Sequence, residues 1–570
     1  LPKERYTSLP LFLYVECQGC IGISETKKRR EDIFKESSAS RVVAGGTWQI
    51  LSGIFGGILV LVWVMLGGRD SGFGPSGIEF FLIASAIGAI LNSPSLGISQ
   101  AYIKYVSEAL AKDKEEARKI ASKASGIILL IGVGILVIFV LFILFGVNNL
   151  DDKISFSIVA IAIPLMYMRD IVNNVSGALH RFDYIAIVNF VMMAVIFAGG
   201  MFFLAYLREA RYTKYLASLI LFSTLLMFFA AIYFFKKCSP FSFRSLMSEK
   251  IDRKFAREFS SYGIYCLLAN IASFGITLQI SIFLVKILSI QFLIFDRTLV
   301  GVYGVAASAA WVVMFITYMA FPLVPEVSRA KEVGDKKLLD LVVRSMVKFA
   351  FAVGTIIIAI AVVFAELGLR IFMGKEYVAL GGVPPLIFAV AGMAFYAIAS
   401  IFGAVMVGSG KAKFAGTVFG VATIILIVLT FPFAFLFGII GPALALVVSG
   451  IFTLILLMWK TRKDLGVAFP MGAIIRPALA VIPPAIALNY YAPKIFVEGR
   501  LLANLPLIAI AGIMLVLVYF FLLIFMGNYD SDDYKMIEDT CTSFGMRPIG
   551  VMTRKVLEAV HKLSPLAPPL

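Results

Sequence analysis

Fourteen apolar runs, each about 20 residues or longer, follow one another along this chain with short polar gaps between them. A hydrocarbon core takes roughly 20 apolar residues to cross as a helix, so every run is long enough to span a bilayer. Lipid offers the backbone no hydrogen-bond partners, which leaves helices and closed barrels as the only spanning forms. Barrel strands would alternate over about 10 residues, and that alternation is absent. The fold class that follows is an all-α polytopic membrane protein. The runs cover about 42–66, 78–103, 120–147, 154–177, 184–207, 212–235, 260–285, 299–322, 346–371, 378–408, 414–437, 440–459, 472–491 and 502–525. A content of 60% hydrophobic and only 15% charged residues agrees, since no water-soluble chain of 570 residues combines the two.

The net charge of +16 would suggest nucleic acid in a soluble protein. Here the basic residues lie mainly between the runs, so they report orientation, and no nucleic-acid partner is expected. An even number of crossings puts both ends on one side. Connections after the even-numbered runs hold 26 Lys and Arg, those after the odd-numbered runs 11. The positive-inside rule therefore places both termini in the cytoplasm of a multi-pass cell-membrane protein. The connections left outside are short, which excludes a sizeable external catalytic or receptor domain. Five scattered Cys and two His make neither a disulfide framework nor a metal centre, and no cofactor is expected. Residues 1–40 lack the pattern of a signal peptide and read as a cytoplasmic tail.

The basic stretch "VSEALAKDKEEARKIASK" (106–123) has a counterpart six runs later, "VSRAKEVGDKKLLDLVVRS" (327–345). Both open on Val-Ser and pass through Asp-Lys. The spacing predicts two six-helix lobes around a central cavity, 41–235 and 236–463, followed by two extra helices in 464–526 and a cytoplasmic tail in 527–570.

Polar residues recur inside the runs at helical spacing. Ser93, Gly97, Gln100 and Lys104 fall on one side of the second run, as do Gly45, Gln49, Ser52, Gly53 and Gly56 in the first and Asn270, Ser273, Thr277 and Ser281 in the seventh. Gln279, nine residues after Asn270, falls on the opposite side of the helix and is left out of the site. The fourth run carries Arg169 and Asp170 with Asn173, Asn174 and Gly177. Charges at such depth normally face protein or a wet cavity. The stripes read either as cavity walls or as helix-packing seams, and Lys104 either serves a site or snorkels to the interface.

The segments "GGTWQILSGIFGGILVLV", "LGISQAYIKYVSEALAKDKEEA", "SGALHRFDYIAIVNF", "VGVYGVAASAAWVVMFITYMAFPLVPEVSRA" and "GAVMVGSGKAKFAGTV" resemble the polysaccharide transporter or oligosaccharide flippase family. That family belongs to the multidrug/oligosaccharidyl-lipid/polysaccharide exporter superfamily. The resemblance covers roughly 40–525 and implies a V of two lobes whose cavity, bordered by spans 1, 2, 7 and 8, opens alternately to each side. It also implies transfer of a lipid-diphosphate-linked oligosaccharide to the external leaflet, with spans 13 and 14 as a groove for the lipid tail. Membrane lipids, glycan-assembly enzymes and a coupling ion, H+ or Na+, are the further partners it suggests. In that frame Lys104 would attract phosphates, and Gln49, Gln100 and Asn270, with Thr277 on the same stripe, would line the sugar site. Asp170, with Asn173 and Asn174, would couple the ion. The first 40 residues and the tail from about 527 depart from the family pattern.

Two rivals follow from the same residues. One is a cation-coupled multidrug exporter of the same superfamily. The other is a membrane glycosyltransferase, resting on the D-x-D of "YDSDDY" (Asp530, Asp532), which otherwise reads as a solvated acidic tail.

Overall fold

The computed structural model describes residues 52, 55–60, 62–64, 66–67, 73–110, 113–147, 150–179, 181–206, 212–239, 241–270, 275–313, 316–317, 323, 327, 336–466, 471–495, 501–531, 533–534, 538 and 547–562. No strand occurs among them. After an apolar helix at Phe55–Val64 come α1 Gly74–Leu110, α2 Lys114–Gly146, α3 Leu150–Ala178, α4 Phe182–Tyr206 and α5 Tyr212–Cys238. Then follow α6 Arg253–Asn270, α7 Ile276–Phe292, α8 Arg297–Ala309, α9 Lys336–Phe372, α10 Val383–Gly408, α11 Ala412–Phe437 and α12 Gly441–Leu465. The chain closes with α13 Gly472–Ile495, α14 Leu501–Phe525 and α15 Arg547–Lys562.

Among the described residues, ten stretches are long and apolar enough to cross a membrane, the longest of them, Ala412–Leu465, running through both α11 and α12. Three shorter apolar helices, Phe55–Val64, Ile276–Phe292 and Arg297–Val313, stand where the first, seventh and eighth runs were read. Each apolar run of the sequence thus has its helix, and the chain is an all-α, multi-pass membrane protein.

Helix ends are set by local chemistry. Asp113 caps α2 by accepting a hydrogen bond from the Glu116 amide at 3.0 Å, and Asp296 caps α8 by accepting from Leu299 at 2.7 Å. The stretch 106–123, expected as a connection, is almost wholly helical, because α1 runs on to Leu110 and α2 starts at Lys114. Its counterpart at 327–345 lies partly outside the described residues. Inside α1, Pro94 has no amide hydrogen for the Ile90 carbonyl four residues back; the Ser93 hydroxyl donates to that carbonyl instead, at 2.7 Å.

The seventh run departs from expectation. Instead of one helix over 260–285 it forms α6 and α7, with Gly275 at φ +63°, a left-handed conformation that glycine adopts without strain. Helical phase does not carry across such a break. Asn270, at the end of α6, and Thr277, in α7, therefore share no stripe, and the ground for setting Gln279 aside disappears.

Packing falls into two groups. Helix α1 lies against α2, α3 and α5, with α4 on α5; in the later group α10 packs on α9 and α12, and α11 on α12 and α6. Helix α1 also runs along α6, α7 and α8, which makes it the main seam between the groups. A methyl group on Gly97 would come within 2.1 Å of Leu267 Cβ in α6, and one on Gly301 within 1.9 Å of the Pro75 carbonyl oxygen. The absence of a side chain is what lets the helices touch there.

Where the acidic motif was read as a solvated tail, the structure overturns the reading. Asp533 and Tyr534 are fully buried, and Tyr529 nearly so. The Lys348 ammonium of α9, itself buried, donates to Asp530 at 2.7 Å and to Asp533 at 2.6 Å, while Ser345 bonds Asp533 and Arg344 approaches Asp530 at 3.8 Å. Burial acts to raise the Asp530 carboxyl, but the Lys348 ammonium and the Asp533 amide outweigh it and hold it below its ordinary range. Carboxylates can leave water when a cation and amides replace it. Helix α15, beyond this clamp, packs on α14.

Candidate functional site

One end of the bundle gathers the basic residues. Around it Arg118 pairs with Glu249 at 2.8 Å, Lys123 with Asp252 and Lys411 with Asp464, both at 2.6 Å, tying helix ends that are distant in sequence. The Lys123 ammonium, helped by the Phe255 amide, holds the Asp252 carboxyl below its usual value. Other cations lie over rings: Arg181 sits 3.8 Å from the Tyr184 centroid, and Lys413 lies over Tyr265 and Lys460 over Phe414.

Lys104 belongs to this set. It is exposed, on α1, with its ammonium 4.4 Å from the centroid of Tyr262 in α6 and 5.6 Å from that of Tyr105. Tyr105 in turn packs edge-on against Tyr262 and beside Phe259, so the seam between α1 and α6 ends in an aromatic bed carrying an accessible cation. A lysine so placed presents a point charge at the surface while lying over two aromatic rings.

Among solved structures, the lipid II flippase MurJ in an inward closed conformation matches with a TM-score of 0.60 and 16% identity, over 82% of this chain and 97% of that one. An inward-facing multidrug resistance MATE family transporter of the MOP superfamily matches at 0.57 and 15%, over 73% of this chain and 98% of the other. The eukaryotic MATE transporter AtDTX14 matches at 0.54 and 16%, over 78% and 99%. This chain shares the fold of these three structures. No protein-family model and no curated protein sequence matches it.

Within that fold, the residues singled out by sequence are distributed unequally. Gln49 lies outside the described residues, as do the side chains of Gln100 and Asn270. Four other described members of the first two stripes are engaged in packing or hydrogen bonding: the Ser52 hydroxyl donates to the Ala186 carbonyl at 2.7 Å, Gly56 abuts Met193, Gly97 abuts Leu267, and Ser93 serves Ile90. Both Ala186 and Met193 are on α4, so this side of the first span faces α4. Thr277 is fully enclosed, its hydroxyl 3.7 Å from the Met393 sulfur of α10, and Ser281 bonds Tyr303 of α8.

Asp170 sits in a knot between three helices of the earlier group. Arg169 bonds its carboxylate directly and donates to the Met227 sulfur of α5 at 3.1 Å. Asn92 of α1 lies beside both, and with its amide turned so that nitrogen faces Asp170 and oxygen faces Arg169, each contact is a hydrogen bond of 3.2 Å. Tyr167 donates to the Leu91 carbonyl one residue earlier, at 2.8 Å. Asn173 is half-buried; Asn174 is buried, with its amide nitrogen unpartnered among the described residues. The carboxylate expected to couple an ion is thus already neutralised by its sequence neighbour.

Sequence reasoning passed over Asn92, Tyr262 and a second buried pair. Glu79 near the start of α1 bonds Lys286 of α7, with 6% and 13% of their side chains exposed. This pair and the contact of Pro75 with Gly301 hold the seam at the end opposite Lys104, so both ends of the seam are closed. A charge inside or beside an apolar run was the signal available for both residues.

Proposed function

We propose that this chain is an alternating-access transporter that moves a lipid-diphosphate-linked oligosaccharide or polysaccharide precursor from the cytoplasmic to the external leaflet of the cell membrane, with the basic end cytoplasmic. The two packing groups serve as lobes that part at one end of the α1 seam and then at the other, with a cavity opening between them. The observation that carries the reading is Lys104, an exposed cation on an aromatic bed at the basic end of that seam, where a diphosphate would first be met. Sugar hydroxyls are assigned to Gln49, Gln100 and Asn270, and α13 and α14 to the lipid tail. Thr277 is given no part, being enclosed. Asp170, with Asn173 and Asn174, becomes available to H+ or Na+ once Arg169 turns away. The acidic motif gives the glycosyltransferase reading little support, because Asp530 is committed to Lys348.

The test is leaflet translocation of a lipid-diphosphate oligosaccharide by the purified chain in vesicles. Substituting K104Q removes a charge-assisted contact and should lower the rate about tenfold or more, while the lost ring contacts cost only about 0.5–1 kcal/mol of stability. An unaltered rate would remove Lys104 from the mechanism. The likeness to MATE transporters keeps one rival, and cation-driven drug efflux by the same vesicles, without lipid translocation, would decide for it.

A further inference from the structure

Helix α15 presents two different strips to its surroundings. On one, Leu557 and Val560 pack against the cluster built on Tyr519, Tyr529 and Leu523, and the buried His561 beside them has its Nδ1 3.0 Å from the Tyr534 hydroxyl. On the other, Met552 keeps 69% of its surface and Val556 53%, with Lys555 and Ala559 exposed beside them. Lys555, Val556 and Ala559 follow Met552 at helical spacing, so the four share a face. Charge on the helix is mainly basic, Arg547, Arg554, Lys555 and Lys562 against Glu558, with Arg554 paired to Glu558 and to Glu538.

Position decides what meets that face. The membrane-crossing stretch of α14 ends at Phe525, and the clamp of Lys348 on Asp530 and Asp533 follows directly. Helix α15 is thereby held against α14, whose own exposed side chains, Ile510, Ile513 and Leu517, form a lipid-facing surface. At 16 residues α15 is too short to cross a bilayer. A helix with an exposed apolar strip and a basic excess, fixed beside a span, fits the plane of the headgroup boundary.

We propose that α15 is an in-plane membrane anchor that binds an anionic lipid surface, with Met552 and Val556 reaching the acyl boundary and Lys555 meeting the headgroups. The full chain is placed in nanodiscs of phosphatidylcholine alone or with about one third phosphatidylglycerol, and amide exchange is followed over residues 547–562. Exchange should be slower with the anionic lipid. K555Q should reduce that protection about fivefold, the effect of one basic residue at such a surface. M552D with V556D should abolish it, while the thermal midpoint of the bundle stays put because both side chains are exposed. Equal exchange in the two lipids overturns the proposal. So does protection that follows the number of chains per disc instead of lipid charge, which would mark a second copy as the occupant.

Discussion

Lys348 shows how one side chain can decide where a whole segment lies. Removing it leaves the fully buried Asp533 without its cation, a loss of about 3–5 kcal/mol for a buried pair. K348M should therefore free the segment from 528 onward, seen as faster amide exchange and new protease cuts between α14 and α15, with the span helices unaffected. The pH dependence has a definite sign. Because the Asp530 carboxyl is depressed in the folded chain, its contribution is complete above the ordinary carboxylate range and fades as pH falls below about 4. Protection across α15, taken relative to the unfolded exchange rate at each pH, should fall in that acid window. Nothing near "YDSDDY" announces this, since Lys348 stands 182 residues before Asp530. Asn92 was equally hidden, as a lone amide whose partners lie on another helix.

At the scale of the element, local pattern went far. Apolar length located the ten crossing stretches and three shorter apolar helices among the described residues, because the hydrophobic period is a property of neighbouring residues. It failed at the seventh, where Gly275 sits among apolar residues that a continuous helix would also accept. The break predicts a measurable penalty. G275A forces a side chain into the left-handed region and should lower the stability of the detergent-solubilised protein by about 1–2 kcal/mol, with G275N losing less. The polar stripes were visible too, but their meaning was not. Periodicity tells which residues share a face; only the fold shows that Ser52 and Gly56 turn to α4 and that Gly97 meets Leu267.

For the molecule as a whole, the seam along α1 is where its two packing groups meet and where the proposed function has them part, and Glu79 with Lys286 bridges it at one end. E79Q and K286Q should each lower the thermal midpoint, because each strands a buried charge. The exchange E79K with K286E should recover at least half of the loss, which a merely bulky contact would not allow. Assembly of such a chain raises a separate difficulty, since charged groups must enter lipid before their final neighbours are in place. In α3 the difficulty is met within two residues. Arg169 answers Asp170 on the same helix, so the pair can enter the membrane already compensated, whatever the order in which α1 and α5 bring Asn92 and Met227 to it.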